Sequence, residues 1–346
     1  MKKYFLIALA VVVNVSALAQ DKKEKTPFLV KSFSGESFSS AEVLTSGGSI
    51  SVNAVNASEA RVEVFVYPNN SNENLSKDEI QQRLTEKYDL ELSVINNKLV
   101  ATAKSKEKNN DWKKALNIGF KLYVPASVTT ELATSGGSIH ISGMSGNQDF
   151  STSGGSLHIK DVTGKIDGRT SGGSINLVNS TNEVELSTSG GSINASHCKG
   201  KIRLSTSGGS LNLEDLDGDI RATTSGGSIG GRNIGGELST HTSGGSIHLN
   251  DLTCSIEAST SAGSIDVSIK TLGKYVRLSN SGGHIDLEIP KGKGVDLDIS
   301  GYKIKTDSME NFSGKMSDDE IDGKLNGGGV SVKINAGSGR VNLGFK

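Results

Sequence analysis

The chain has 346 residues, 43 of them Gly and only 4 Pro, so it is long enough for a sizeable core but demands a structural reason for its glycine. Its 37 Lys and Arg nearly cancel its 38 Asp and Glu, which leaves no net field to draw it onto nucleic acid or an anionic membrane. Nucleic acid is therefore not an expected partner.

The N-terminus reads as a signal peptide over residues 1–19. Lys2 and Lys3 form the charged start, Phe5 to Val13 the apolar stretch, and Ala17-Leu18-Ala19 the small-residue cleavage site. An exported protein starting at Gln20 is expected, in the periplasm, at the cell surface or outside the cell. No later apolar run approaches the ~20 residues of a spanning helix, so no transmembrane segment is expected in the mature chain.

Residues 20–134 read as irregular N-terminal coils with a capping helix. An isolated Ser-Gly-Gly-Ser begins at Ser46, and strand patterns cover Arg61 to Tyr67, Lys98 to Ala103 and Leu116 to Val124. Between them, Ser76-Lys77-Asp78-Glu79 forms a capping box, with Ile80, Leu84 and Tyr88 following at helical spacing. That helix is expected to cover an open end of the fold, because exposed strand edges invite unwanted pairing.

Residues 135–290 carry the dominant feature, an internal repeat. Ser-Gly-Gly-Ser recurs at Ser135, Ser153, Ser171, Ser189, Ser207, Ser225 and Ser243, with Ser-Ala-Gly-Ser at Ser261, always 18 residues apart. A looser copy starts at Ser281. Counting from the first Ser, the fifth position is always aliphatic (Ile139, Leu157, Ile175, Ile193 and onward), and the sixth is polar or Gly. That alternation is a short half-buried strand, and a second follows in each repeat around Ile166, Val184, Ile202 and Ile220. The expected fold is all-β, a parallel β-solenoid of 18-residue, two-strand coils stacked ~4.8 Å apart. The Gly-Gly pair is expected to supply positive φ at a corner between strands, and the Thr before each corner a stacked hydroxyl row.

Residues 291–346 read as irregular C-terminal coils and a cap. The stretch from Lys303 to Asp322 is polar enough for a loop or a cap, a degenerate repeat lies at Asn326 to Val330, and final strands are expected at Val330 to Ile334 and Arg340 to Leu343.

The signal peptide, the repeated Thr-Ser-Gly-Gly-Ser-Ile, and the Leu122-Tyr123-Val124-Pro125 strand end that leads into the array resemble the putative adhesin family of bacterial β-strand-repeat proteins, over roughly residues 28 to 346. The resemblance implies a β-solenoid at the cell envelope with an adhesive role, and it carries over no binding residue.

The residues offer little chemistry. Gly226-Gly227-Ser228-Ile229-Gly230 matches a hydrolase nucleophile pattern, but the same Ser recurs in the other repeats, and a nucleophile elbow needs a helix after the turn. His140 and His158 occupy equivalent positions in adjacent coils, close enough to share an ion. Their neighbours Asn176 and Asn194 are poor zinc ligands, so no metal or cofactor is expected. A second row, Asp149, Asp167, Glu185, Arg203 and Arg221, changes sign along the coil axis. These two rows form the candidate interaction face, and no catalytic residue is assigned. The expected function is a non-enzymatic binding protein whose partner is a surface or envelope component. The alternatives are a structural scaffold that self-associates through its solenoid ends, and a polysaccharide-degrading β-helix enzyme.

Overall fold

A computed structural model describes residues 26–70, 73, 75–106 and 114–346; the signal-peptide reading at 1–19 lies outside them. The chain is a β-solenoid of about nine turns whose parallel partners lie about 18 residues apart. Each coil contributes to two stacks. In the first, Ile139–Ser142, Leu157–Lys160 and Ile175–Val178 pair in parallel, with Leu157 opposite Ile139 and Ile175. In the second, Gln148–Thr152, Thr163–Thr170 and Thr181–Thr188 do the same. From Ile193 onward the two strands of a coil merge into single bent runs such as Ile193–Thr206 and Leu211–Thr224.

The aliphatic positions are inside as the alternation requires. Ile139, Leu157, Ile175, Ile193, Leu211, Ile229, Ile247 and Ile265 are all buried, as are Ile166, Val184, Ile202 and Ile220 from the second strands. Removing such side chains from water is the main favourable contribution to the fold. Volume is matched between coils as well: a Cβ on Gly168 would lie 2.3 Å from the ring of Phe150, so the Phe fills the space that the Gly leaves.

The Gly-Gly pair has a different role from the expected one. Neither glycine has positive φ; the left-handed corner falls at the ninth position instead, on Asp161, Asn179, His197, Asp215, Asn233 and Asp251, with φ between 51° and 56°. Asn and Asp tolerate that region because their short polar side chains bond locally. The second Gly is required by proximity: a Cβ on Gly191 would lie 2.1 Å from the carbonyl oxygen of Gly173 in the preceding coil, whereas one on Gly190 would meet nothing nearer than 3.6 Å.

The buried threonines do form a row, but they bond to glycine rather than to each other. The Thr188 hydroxyl donates to the Gly173 carbonyl at 2.8 Å and accepts from the Gly191 amide at 3.3 Å. The same pair of bonds recurs at Thr152, Thr170, Thr206, Thr224, Thr242 and Thr260. In the next coil the amide of Asn280 takes over both functions, donating to Gly263 and accepting from Gly283. The fourth-position serines act between coils: the Ser210 amide donates to the Ser192 hydroxyl at 3.2 Å.

Both ends depart from sequential stacking. The isolated repeat at Ser46 forms a true coil, Ser40–Leu44 and Ile50–Ala54, seated directly against the first coil of the array. Lys98–Ser105 and Leu116–Val124 stack beyond it in parallel. Antiparallel strands then close the two stacks, Tyr88–Ile95 in one, and Arg61–Pro68 followed by Leu29–Ser32 in the other. The helix Lys77–Lys87 carries the capping box and packs against Tyr88–Ile95 and Arg61–Pro68, with Leu84 buried.

At the other end Val330–Asn335 and Arg340–Phe345 stack on the last full coil, while Val295–Ser300 and Lys303–Thr306 lie beyond them. The polar stretch expected as a loop or a cap is largely strand: Lys303–Thr306, Phe312–Met316 and Glu320–Leu325, the last two forming an antiparallel cap on Val295–Ser300. Asn326 to Gly329 is a turn with positive φ throughout. The corner equivalent to Gly-Gly lies at Gly339, where a Cβ would sit 1.8 Å from the Gly283 carbonyl.

The two glycines of one corner should thus respond differently to the same methyl group. Gly191→Ala forces backbone apart and should cost about 3 kcal/mol or more, whereas Gly190→Ala should stay within about 1 kcal/mol. Urea unfolding of the two variants measures the difference, and equal losses would contradict the close approach.

Candidate binding face

The sixth position of each coil points outward from the first stack and forms one row that runs beyond the repeat array. In register it reads Glu63, Lys121, Ser51, His140, His158, Asn176, Asn194 and Asn212, before Gly230 interrupts it. The His140 and His158 rings stack with centroids 4.6 Å apart and planes within 7°. Imidazole lone pairs lie in the ring plane, so two parallel rings aim them side by side and cannot converge on one ion. Asn176 Nδ2 lies 3.4 Å from His158 Nδ1, Asn194 donates to Asn176 at 2.9 Å, and Asn212 donates to Asn194 at 2.8 Å. Amide and ring thus bond coil to coil along the outer surface, which fixes the orientation of each group.

Where this row crosses the N-terminal coils, the face becomes a groove of about 890 Å³. Arg61 and Glu63 pair at 3.0 Å along one strand, and the Arg61 guanidinium lies 3.6 Å from the centroid of the Tyr123 ring. Phe65 stands directly opposite Gly119 in the antiparallel register. Ser51 bridges groove and row, accepting from Asn53 Nδ2 at 3.2 Å and standing beside His140. A mixture of aromatic, cationic, anionic and hydroxyl groups converging on one concavity is the usual composition of a recognition surface.

The second candidate row, Asp149, Asp167, Glu185, Arg203 and Arg221, is also in register, but on the second stack. It extends backward through Glu131 to Glu42. The structure therefore does not bring the two rows together: the histidines lie on one face, and the charges on another. Asp167 is paired with Arg169 at 3.3 Å in an exposed contact of little net worth, and Glu42 with Lys98 at 2.8 Å in a partly buried one.

No family model matches the chain, and no curated protein matches it. Two solved structures are similar to it in part. One is a putative cell adhesion protein from Clostridium sporogenes, 11% identical, covering 92% of this chain and 98% of its own, with a TM-score of 0.21. The other is a putative adhesin from Bacteroides fragilis, 10% identical, covering 92% and 96%, with a TM-score of 0.22. At these values neither likeness transfers a role to this chain.

Ser228 of the nucleophile-like pattern belongs to the serine row. Its amide donates to Ser210 Oγ, its hydroxyl accepts from the Ser246 amide, and it is followed by the strand Ile229–Thr242. Both cysteines are buried and unpaired, and desolvation pushes the thiols up, that of Cys254 to about 12. The groove was missed in the sequence because it lies in the non-periodic segment; Arg61, Glu63 and Phe65 at alternate positions of one predicted strand were its only local signal. No helix among the described residues is long and apolar enough to cross a membrane.

Burial against its neighbours holds the His140 imidazole below its ordinary value, and repulsion from His158 adds to this. A base whose folded value is depressed contributes stability above its unfolded value near 6.5 and loses it as pH falls through the folded value. NMR titration should place His140 below the usual histidine range and move it upward in His158→Asn; a His140 titrating at or above that range would contradict the stacked pair.

Proposed function

We propose that this chain is an exported, non-enzymatic binding protein of adhesin type, which docks a surface or envelope component along the outer face of its first stack. The observation that carries the reading is the continuous row that leads from the Arg61–Glu63–Tyr123 groove through His140 and His158 to the bonded asparagines. Its groups are held by the Arg61–Glu63 pair, the histidine stack and the coil-to-coil asparagine bonds before any partner arrives, which lowers the ordering cost of binding. Tyr and Arg at the centre of a concavity are the residue types that most often dominate recognition energy. Export rests on the N-terminal pattern of charge, apolar stretch and small residues.

Self-assembly through the ends is the weaker reading. The outermost strands of the first stack are only four residues long, Leu29–Ser32 and Lys303–Thr306, and both carry Lys, devices that blunt edge pairing. A polysaccharide-degrading activity would need paired carboxylates in a groove, and among the described residues Glu63 is the one acidic residue lining the groove described above.

Beads coated with residues 20–346 should be retained on surfaces bearing matrix proteins or polysaccharide. Arg61→Ser combined with Tyr123→Ser should weaken retention at least about fivefold, the effect of losing ~1 kcal/mol, and Arg221→Ser on the other face should not. Loss with Arg221→Ser alone would move docking to the charged row, and no retention on any surface would contradict the proposal.

A further inference from the structure

Beyond Gly230 the sixth-position row changes character. It reads His248, Asp266, Asp286 and Asn342 in successive layers, so two carboxylates stand directly opposite each other on adjacent strands. Like charges in that arrangement are destabilising, and elsewhere the row places neutral asparagines there. A second departure occurs beside it. The fourth position is Ser in Ser138, Ser156, Ser174, Ser192, Ser210, Ser228, Ser246 and Ser264, but in the next coil it is His284.

His284 stands between the two carboxylates. Its Nε2 lies 3.9 Å from Asp266 Oδ1 and 3.6 Å from Asp286 Oδ2. The remaining carboxylate oxygens are held from outside the trio: Asp266 Oδ2 lies 2.6 Å from His248 Nδ1, and Asp286 Oδ1 accepts from Asn342 Nδ2. Each carboxylate is thus pinned by one oxygen and turns the other toward the imidazole. Among the described residues the ion pairs of Asp266 and Asp286 are with histidines alone, so no Lys or Arg neutralises the pair.

We propose that Asp266, His284 and Asp286 form a divalent transition-metal site, suited to zinc, that clips the last regular coils together. The three ligand atoms already lie within 4.8 Å of one another, and small rotations of partly exposed side chains bring them to the ~2.0–2.2 Å that zinc takes with imidazole and carboxylate. One nitrogen and two oxygens match a borderline cation rather than calcium, which takes six to eight oxygens. His248 and Asn342 supply the outer bonds that orient ligating carboxylates. The fourth position faces solvent, open to water or to a side chain of a bound partner. The cation removes the carboxylate repulsion and so stabilises the coils it bridges, while the stacked His140 and His158 take no part. The sequence signal was present, since Asp266 and Asp286 both hold the sixth position of their coils and His284 replaces the fourth-position Ser.

The test is calorimetric titration of chelator-treated residues 20–346 with zinc chloride, alongside thermal unfolding with and without the metal. One equivalent should bind and raise the unfolding temperature. His284→Ser, which restores the residue found at this position in the other coils, should weaken binding at least thirtyfold and abolish the thermal shift while leaving unfolding without metal close to the parent's. If that variant proves misfolded by circular dichroism, Asp286→Asn, which places there the residue the row carries elsewhere, should show the same loss. The double variant His140→Asn with His158→Asn should keep full binding. No saturable zinc binding by the parent chain, undiminished binding in a folded His284 or Asp286 variant, or loss of binding in the His140 and His158 variant would overturn the site.

Discussion

The distance between the second glycines of successive corners sets the terms for the rest of the molecule. With a Cβ on Gly155, Gly173, Gly209, Gly227 or Gly245 falling 1.9–2.0 Å from the preceding coil's carbonyl, no side chain can occupy that position while the coils remain in ladder contact. The buried Thr three residues earlier turns the close approach into a bonded one, since its hydroxyl donates to the carbonyl below and accepts the amide beside it. Buried polar groups are costly unless satisfied, and from Thr152 to Thr260 a single hydroxyl satisfies one donor and one acceptor in each coil. The corner is therefore a repeated clamp that holds the coils in register as well as a turn.

Register has a direct consequence for the surface. When like stands over like every 18 residues, each outward position becomes a row one residue wide, and its chemistry depends on how neighbours in that row tolerate contact ~4.8 Å apart. Asparagines bond to one another, histidines stack, and on the second stack acidic residues follow one another from Glu42 to Glu185 before the sign changes at Arg203. Rows of this kind give a long, stiff, regular surface with little concavity. The groove of the first stack lies where the period is broken, in the N-terminal coils that contribute Arg61, Glu63, Phe65 and Tyr123, while a smaller concavity of about 390 Å³ lies over the regular coils between Glu185 and Arg221. Regular coils supply length and rigidity, and the irregular end supplies the groove on the first stack.

Much of this was legible in the residues themselves. The 18-residue period, the two strands per coil, the buried aliphatics, the threonine row and the capping box at Ser76 follow from alternation and spacing alone. The role of Gly-Gly was misread because glycine answers two needs, positive φ and close approach, and composition does not distinguish them; the Asp, Asn and His at the ninth position from Asp161 to Asp251 marked the left-handed corner. The order of layers at the two ends was not legible at all. The coil at Ser46 stacks on the coil at Ser135 across an intervening excursion, and Arg340–Phe345 stacks on Ile285–Ile289 before Lys303–Thr306 does. Such pairings depend on which edge is free when the chain returns, and no local pattern records that. Phe312–Met316 was hidden for a related reason: all of it but Phe312 is exposed, so it lacks the alternation that marks a half-buried strand.

The central claim is that equivalent residues 18 apart lie one ladder spacing apart along a single axis, and distances between spin labels test it most directly. Cys198 and Cys254 are buried, so labels can be directed to cysteines introduced at Ser151, Thr223 and Ser259, outward positions that share one row. At ~4.8 Å per coil, the Ser151–Thr223 pair should lie ~19 Å apart and the Ser151–Ser259 pair ~29 Å. The two separations should fall on one line through the origin when plotted against coil number, within the reach of the label arms. A Ser151–Ser259 distance no greater than the Ser151–Thr223 distance would contradict the stacked register.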